Sequence, residues 1–95
     1  MTKSTGPKII KTAVFISGSG TNLKSLIRFS KTKKSPISIN LIISNDSKSR
    51  GLYYSKLFKI KKKIFNFQNK KLAEKKIIQV LKNDKIDLIC LAGFM

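Results

Sequence analysis

The chain alternates. Four short apolar runs are separated by three segments with helical spacing, and this order constrains the fold more than any other feature. "TAVFIS" (12–17) is a continuous, β-branched apolar run, the pattern of a strand buried on both faces. "TNLKSLIRFSKTK" (21–33) follows, with Leu23, Leu26 and Ile27 at i, i+3, i+4 on one helical face. Ser35–Pro36 stops that helix, because the residue before a proline is pushed out of the α region. "ISINLIIS" (37–44) reads as the second strand, and "NDSKSRG" (45–51) as a loop built on Asn, Asp and Ser turn chemistry. A helix over about 48–59 is expected next, with Leu52, Ser55 and the pair Tyr53/Leu57 turned to the sheet. A short third strand is expected near Ile64–Phe67.

The clearest helix is "NKKLAEKKIIQVLKND" (69–84), where Ala73, Ile77, Val80 and Leu81 recur at i, i+4, i+7, i+8. Asp87–Ala92 closes the pattern as a fourth strand. Strands alternating with helices over short connections predict an α/β fold: a Rossmann-like parallel sheet with flanking helices and right-handed crossovers. The first strand is expected in the centre, flanked by the second and fourth. Residues 1–11 are expected as a flexible basic tail.

Size and charge narrow the function classes. A chain of 95 residues makes one small domain, with roughly 60–65% of its unfolded surface hidden if it folds alone. It carries 21 Lys plus Arg against 4 Asp plus Glu, a formal charge of +17. That excess invites a nucleic-acid reading. Its distribution argues against one: Arg28 and Arg50 are the only arginines, and the lysines run through the whole chain. Nucleic-acid sites favour arginine forks and interleaved aromatics. No apolar stretch approaches the ~20 residues of a membrane span. The lone Cys90, in an apolar run, suits a reducing compartment, and the cytoplasm is the expected location. The chain has no histidine, so the commonest general acid–base and the commonest metal ligand are missing from it. No metal is expected.

The stretch "ISGSGTNL" (16–23) is the strongest candidate site. In open parallel sheets ligands sit at the carboxyl ends of strands, and Ser17–Asn22 is such a position. Gly18 and Gly20 permit positive φ and close approach of a ligand. The amides of Gly20, Thr21 and Asn22 would open a helix, where N–H groups lack intrahelical acceptors and the dipole adds roughly half a positive charge. Such a turn cradles phosphate. It is neither the dinucleotide fingerprint, since position 23 is Leu23, nor a P-loop, since no Gly-Lys-Ser/Thr follows. A tight turn capped by Thr or Gly, with no ligand, accounts for the same residues. At the end of the second strand, Asn45 is suited either to a ligand or to its own turn. Asp46 has the chemistry to hold a ribose hydroxyl, but lies further from Gly18 than that motif usually allows.

Taken together, "VFISGSGTNLKSLI", "LIISND" and "DLICLAGFM" resemble the amino-terminal half of phosphoribosylglycinamide formyltransferase, the folate-dependent glycinamide ribonucleotide transformylase of purine synthesis. The resemblance runs from about Thr12 to Met95. It implies the formyltransferase fold, cut after the fourth strand, with residues 12–95 as the nucleotide-binding half. Methionyl-tRNA formyltransferase shares that fold, but its first turn lacks the S-G-x-G-[ST]-N pattern. By the resemblance, Gly20, Thr21 and Asn22 hold the phosphate of glycinamide ribonucleotide, the substrate. The co-substrate is 10-formyltetrahydrofolate. Lys70 stands where the family has a basic residue, usually arginine, at the start of the third helix; lysine keeps the charge and loses the bidentate fork. Met95 begins the segment lining the folate pteridine pocket, and Gly93 lets the backbone approach the ligands. The family's catalytic Asn, His and Asp fall beyond residue 95, so the chain alone is expected to be an inactive piece of the enzyme. A self-standing nucleotide-binding module and a small basic nucleic-acid-binding protein are the alternatives.

Overall fold

Sequence periodicity sets the two faces of the sheet. In the computed structural model, which describes residues 9–18 and 20–93, strand β1 (Ile10–Ile16) sends Val14 and Ile16 to one face and Ala13 and Phe15 to the other. β2 (Ile37–Ser44) divides likewise, with Ile42 on the first face and Leu41 and Ile43 on the second. Helix α1 (Thr21–Ser30) buries Leu23 and Ile27 against the first face. A short 3-10 turn, Arg50–Leu52, leads into α2 (Tyr53–Leu57) on the same side, through Leu52 and the half-buried Tyr54 and Phe58. Helix α3 (Lys70–Asn83) covers the second face through Ile77, with Val80 and Leu81 beside it. Asn69 caps α3, its side chain accepting from the Leu72 amide at 3.1 Å.

The sheet is parallel throughout, in the order β3-β2-β1-β4, with β3 spanning Lys61–Ile64 and β4 Leu88–Leu91. The expected order, with β1 between β2 and β4, is the one observed. Thr12 to Phe15 pair with Leu88 to Leu91, and the β1/β2 register shifts once, between Thr12 and Ala13.

Five boundaries and faces differ from expectation. β1 begins at Ile10, ahead of Thr12, because the ladder to β2 continues to Ile37 and the Ile10 amide reaches the Pro36 carbonyl at 2.8 Å. Residues 1–8 of the expected tail lie outside the described residues. α1 ends at Ser30, three residues short of Lys33, where the Ser30 and Thr32 hydroxyls take up the Ile27 and Phe29 carbonyls at 2.7 and 2.8 Å.

Tyr53 and Leu57 face outward, 61% and 52% exposed. Residues two apart on a helix lie almost opposite, so a buried Ser55 turns both away from the sheet. β3 lies ahead of the expected Ile64–Phe67 and is exposed along its length. It is an edge strand whose lysines face solvent, while Phe65 and Phe67 pack on the second core beyond its end. β4 is apolar as expected but is not buried on both faces: Leu88, Ile89 and Leu91 are all exposed, since β4 forms the other edge of the four strands.

Candidate functional site

The strand order creates the site. The chain leaves β1 through α1 toward β2 and β3, then returns through α3 to place β4 on the other side of β1. The carboxyl ends of β1 and β4 therefore form the point where the winding reverses, the crevice in which open α/β sheets bind ligands. Two adjoining concavities lie there. One, of about 190 Å³, is lined by Gly18, Gly20, Thr21, Asn22, Ala92 and Gly93. The other, of about 540 Å³, is lined by Ser17, Gly18, Asn45, Asp46 and Gly93. A third, of about 290 Å³, sits apart, where β3 ends and α3 begins, between Ile64 and Lys76.

Gly20, not Thr21, is the N-cap of α1; it is left-handed at φ 81° and makes no side-chain cap bond. Its carbonyl accepts from the Lys24 amide at 2.9 Å, which starts the helix. Glycine is required twice over. A Cβ on Gly20 would lie 2.5 Å from the Gly51 Cα and 3.3 Å from the Tyr54 ring, and a Cβ on Gly51 would lie 2.6 Å from Ile16 Cδ1. The two backbones are in contact, so the start of α1 is pinned to the 3-10 turn before α2. Thr21 and Asn22 are exposed at the helix start. Gly18 is not in the left-handed region, and a Cβ there would meet nothing within 4 Å, so its open side faces the cleft.

The loop after β2 is built by its own polar groups. The buried Ser44 hydroxyl donates to the Asp46 carbonyl at 3.0 Å and accepts from the Asp46 amide at 3.1 Å. Asp46 Oδ1 accepts from the Lys48 amide at 2.8 Å, an Asx turn. Asp46 thus organises its loop and lines the larger cleft, with the half-buried Asn45 beside it. At β4, the Ala92 amide reaches the Phe15 carbonyl at 2.9 Å, which carries the chain up to Gly93 at φ 77°.

Of the residues singled out from the sequence, Gly20, Thr21, Asn22 and Gly93 come together around the smaller concavity. Lys70 does not join them: it is the exposed first residue of α3 and lines none of the three concavities. Met95 lies outside the described residues. Sequence reasoning missed Ser49 and Gly51. Both donate to the Gly18 carbonyl, Ser49 through Oγ at 2.8 Å and Gly51 through its amide at 3.1 Å. They sit in a loop read only as a turn, and no local spacing signals a contact across 31 residues. Among the described residues no three His, Cys, Asp or Glu side chains gather as a metal site would require, and no helix is long and apolar enough to cross a membrane.

Comparison with known proteins assigns this architecture. The family model described as "Formyl transferase" matches residues 10–95. The phosphoribosylglycinamide formyltransferase of Haemophilus influenzae is 38% identical over 88 residues, which cover 90% of this chain and 42% of that protein. The trifunctional purine biosynthetic protein adenosine-3 of Bos taurus is 35% identical over 97% of this chain and 9% of its own length. The crystal structure of the Brucella melitensis phosphoribosylglycinamide formyltransferase superposes with a TM-score of 0.87 at 33% identity, covering 93% of this chain and 47% of that one. This chain therefore spans less than half the length of these relatives. With its parallel sheet, its glycine turn at the switch point and this agreement over nearly all its residues, the chain is similar to phosphoribosylglycinamide formyltransferases and belongs to the formyl transferase family.

Proposed function

We propose that the chain carries the substrate-phosphate end of a folate-dependent phosphoribosylglycinamide formyltransferase acting in de novo purine synthesis. Its substrate is glycinamide ribonucleotide, and its co-substrate is 10-formyltetrahydrofolate, which supplies the formyl carbon that the glycinamide amine attacks. The supporting observation is the start of α1: Gly20, Thr21 and Asn22 open onto a concavity at the switch point, in a chain whose relatives are formyltransferases. An anion gains from first-turn amides and the helix dipole, by about 0.3–1 kcal/mol at an exposed site. Anchoring the phosphate there fixes one end of the substrate and orients its amine, the entropic part of catalysis. The larger cleft, with Asn45 and Asp46, adjoins this anchor on the side of β2. Lys70 and Met95 are assigned to folate contacts on family grounds alone. Cys90 is a free, half-buried thiol, which suits the reducing cytoplasm.

Proton transfer is not assigned to any residue here, because the chain has no histidine and the described residues that line its clefts include no paired acid and base. Proton-transfer groups are worth about 10²–10⁴ each. The 95-residue chain is therefore expected to bind glycinamide ribonucleotide without turning it over, whereas a chain extended to the length of its relatives transfers formyl. Two measurements test this. Amide shifts on titration with glycinamide ribonucleotide are expected at Gly20, Thr21 and Asn22; shifts confined to the concavity between Ile64 and Lys76 would overturn the site. A formyl-transfer assay on the short and extended chains tests the catalytic part, and comparable turnover by the short chain would refute it.

A further inference from the structure

The turn after β1 does not hold its shape through α1 alone. The carbonyl oxygen of Gly18, which borders both clefts, accepts two hydrogen bonds: Ser49 Oγ at 2.8 Å and the Gly51 amide at 3.1 Å. A carbonyl oxygen has two lone pairs, and both are engaged. Ser49 is itself held firmly. Its amide donates to the Asp46 carbonyl and its carbonyl accepts from the Leu52 amide, each at 3.1 Å, and the residue is only 7% exposed. Water has little access to replace its hydroxyl.

An unpinned carbonyl at the mouth of an anion site is a liability. Its oxygen is partly negative, and a rotation of that peptide would turn it toward the ligand. Two donors from the β2–α2 loop keep it directed at that loop. The Gly20–Gly51 backbone contact, with no room for a Cβ on either side, then sets the distance between the loop and the start of α1.

We propose that Ser49 is a positioning residue for the anion-binding turn. Its hydroxyl holds the Gly18 carbonyl away from the phosphate, so that the first turn of α1 meets the anion without rearrangement. This rests on the phosphate-anchoring role given above to Gly20, Thr21 and Asn22. Ser49 touches no reacting atom and acts only through Gly18. The Gly51 amide still holds the same carbonyl when the hydroxyl is removed, so Ser49→Ala retains the fold and loosens the turn.

The test titrates the 95-residue chain with glycinamide ribonucleotide and with its dephosphorylated riboside, following amide shifts. The loss of one buried hydrogen bond predicts that Ser49→Ala raises the ribonucleotide Kd about three- to tenfold. The riboside, which lacks the anion, is expected to bind Ser49→Ala as it binds the parent chain. Ser49→Thr, which keeps the hydroxyl, should recover ribonucleotide affinity. If the parent chain binds the ribonucleotide at Gly20–Asn22 and Ser49→Ala binds it equally well, the positioning role falls and the site stands. Equal losses for ribonucleotide and riboside also overturn it, since a merely structural role weakens both. If the parent chain shows no shift at Gly20–Asn22, the phosphate site falls and the role of Ser49 falls with it.

Discussion

Gly20 shows how much one position carries. Its left-handed φ of 81° sets the entry to α1, and its missing side chain lets Gly51 approach. Alanine there meets two separate penalties. The left-handed conformation costs a residue with a Cβ about 1–2 kcal/mol, and overpacking against backbone costs about 1–3 kcal/mol more. Because the nearest atom is a Cα and not a flexible side-chain tip, the loop after β2 must move. Gly20→Ala is therefore expected to destabilise the chain by about 2–5 kcal/mol in urea unfolding, by the sum of those terms. Gly18→Ala, with open space around its Cβ and no left-handed φ, is expected to change stability by less than about 1 kcal/mol. The two glycines look alike in "SGSG", and the left-handed φ of Gly20 together with the positions of Gly51 and Tyr54 tells them apart.

Among the elements, α1 and α3 were legible because their apolar spacing is long enough to define a face. Leu23 and Ile27, and Ala73 and Ile77, are buried as the spacing predicts. α2 was legible only as a helix. Its five residues hold Tyr53, Tyr54 and Leu57, so apolar content surrounds it and does not select a side. The 3-10 turn that precedes it sets its rotation by burying Gly51 and Leu52. The same contrast can be measured. Ile27→Ala removes a fully buried side chain and is expected to cost about 2–5 kcal/mol. Leu57→Ala, on the outward side of α2, is expected to fall within about 0.5 kcal/mol of the parent chain. If the Leu57 change proves the costlier, the observed rotation of α2 is wrong. β3 repeats the lesson for strands: apolar residues pointed to Ile64–Phe67, but the backbone of an edge strand pairs whatever side chains it carries, here Lys61, Lys62 and Lys63.

Over the whole molecule, charge and exposed apolar surface act together. A formal charge of +17 on 95 residues repels itself, and the lone ion pair among the described residues, Lys61 to Asp84 at 3.0 Å, offsets little of it. Screening lengths fall from about 30 Å at 0.01 M salt to about 8 Å at 0.15 M. The melting temperature of the chain is therefore expected to rise with sodium chloride over that range; a flat or falling profile would show that self-repulsion is not what limits its stability. At the opposite end of the sheet from the lysine-rich β3, the β4 edge presents Leu88, Ile89 and Leu91, the last 68% exposed. Unpaired apolar edges favour association between chains. Screening the charge is accordingly expected to raise aggregation as it raises the melting temperature.

What the sequence alone determined is the order and kind of the elements, the parallel sheet with β1 inside, and the glycine turn as the candidate site. These follow from local periodicity and from which residues tolerate a left-handed turn, and both are properties of short windows. What only the tertiary structure decided is which residues share that site. Ser49 reaches Gly18 across 31 positions, Gly51 abuts Gly20, and Ala92 and Gly93 arrive from the far end of the chain. The physical reason is that crossovers bring the carboxyl ends of β1, β2 and β4 together. Contacts made there depend on strand order and register, which no run of neighbouring residues encodes.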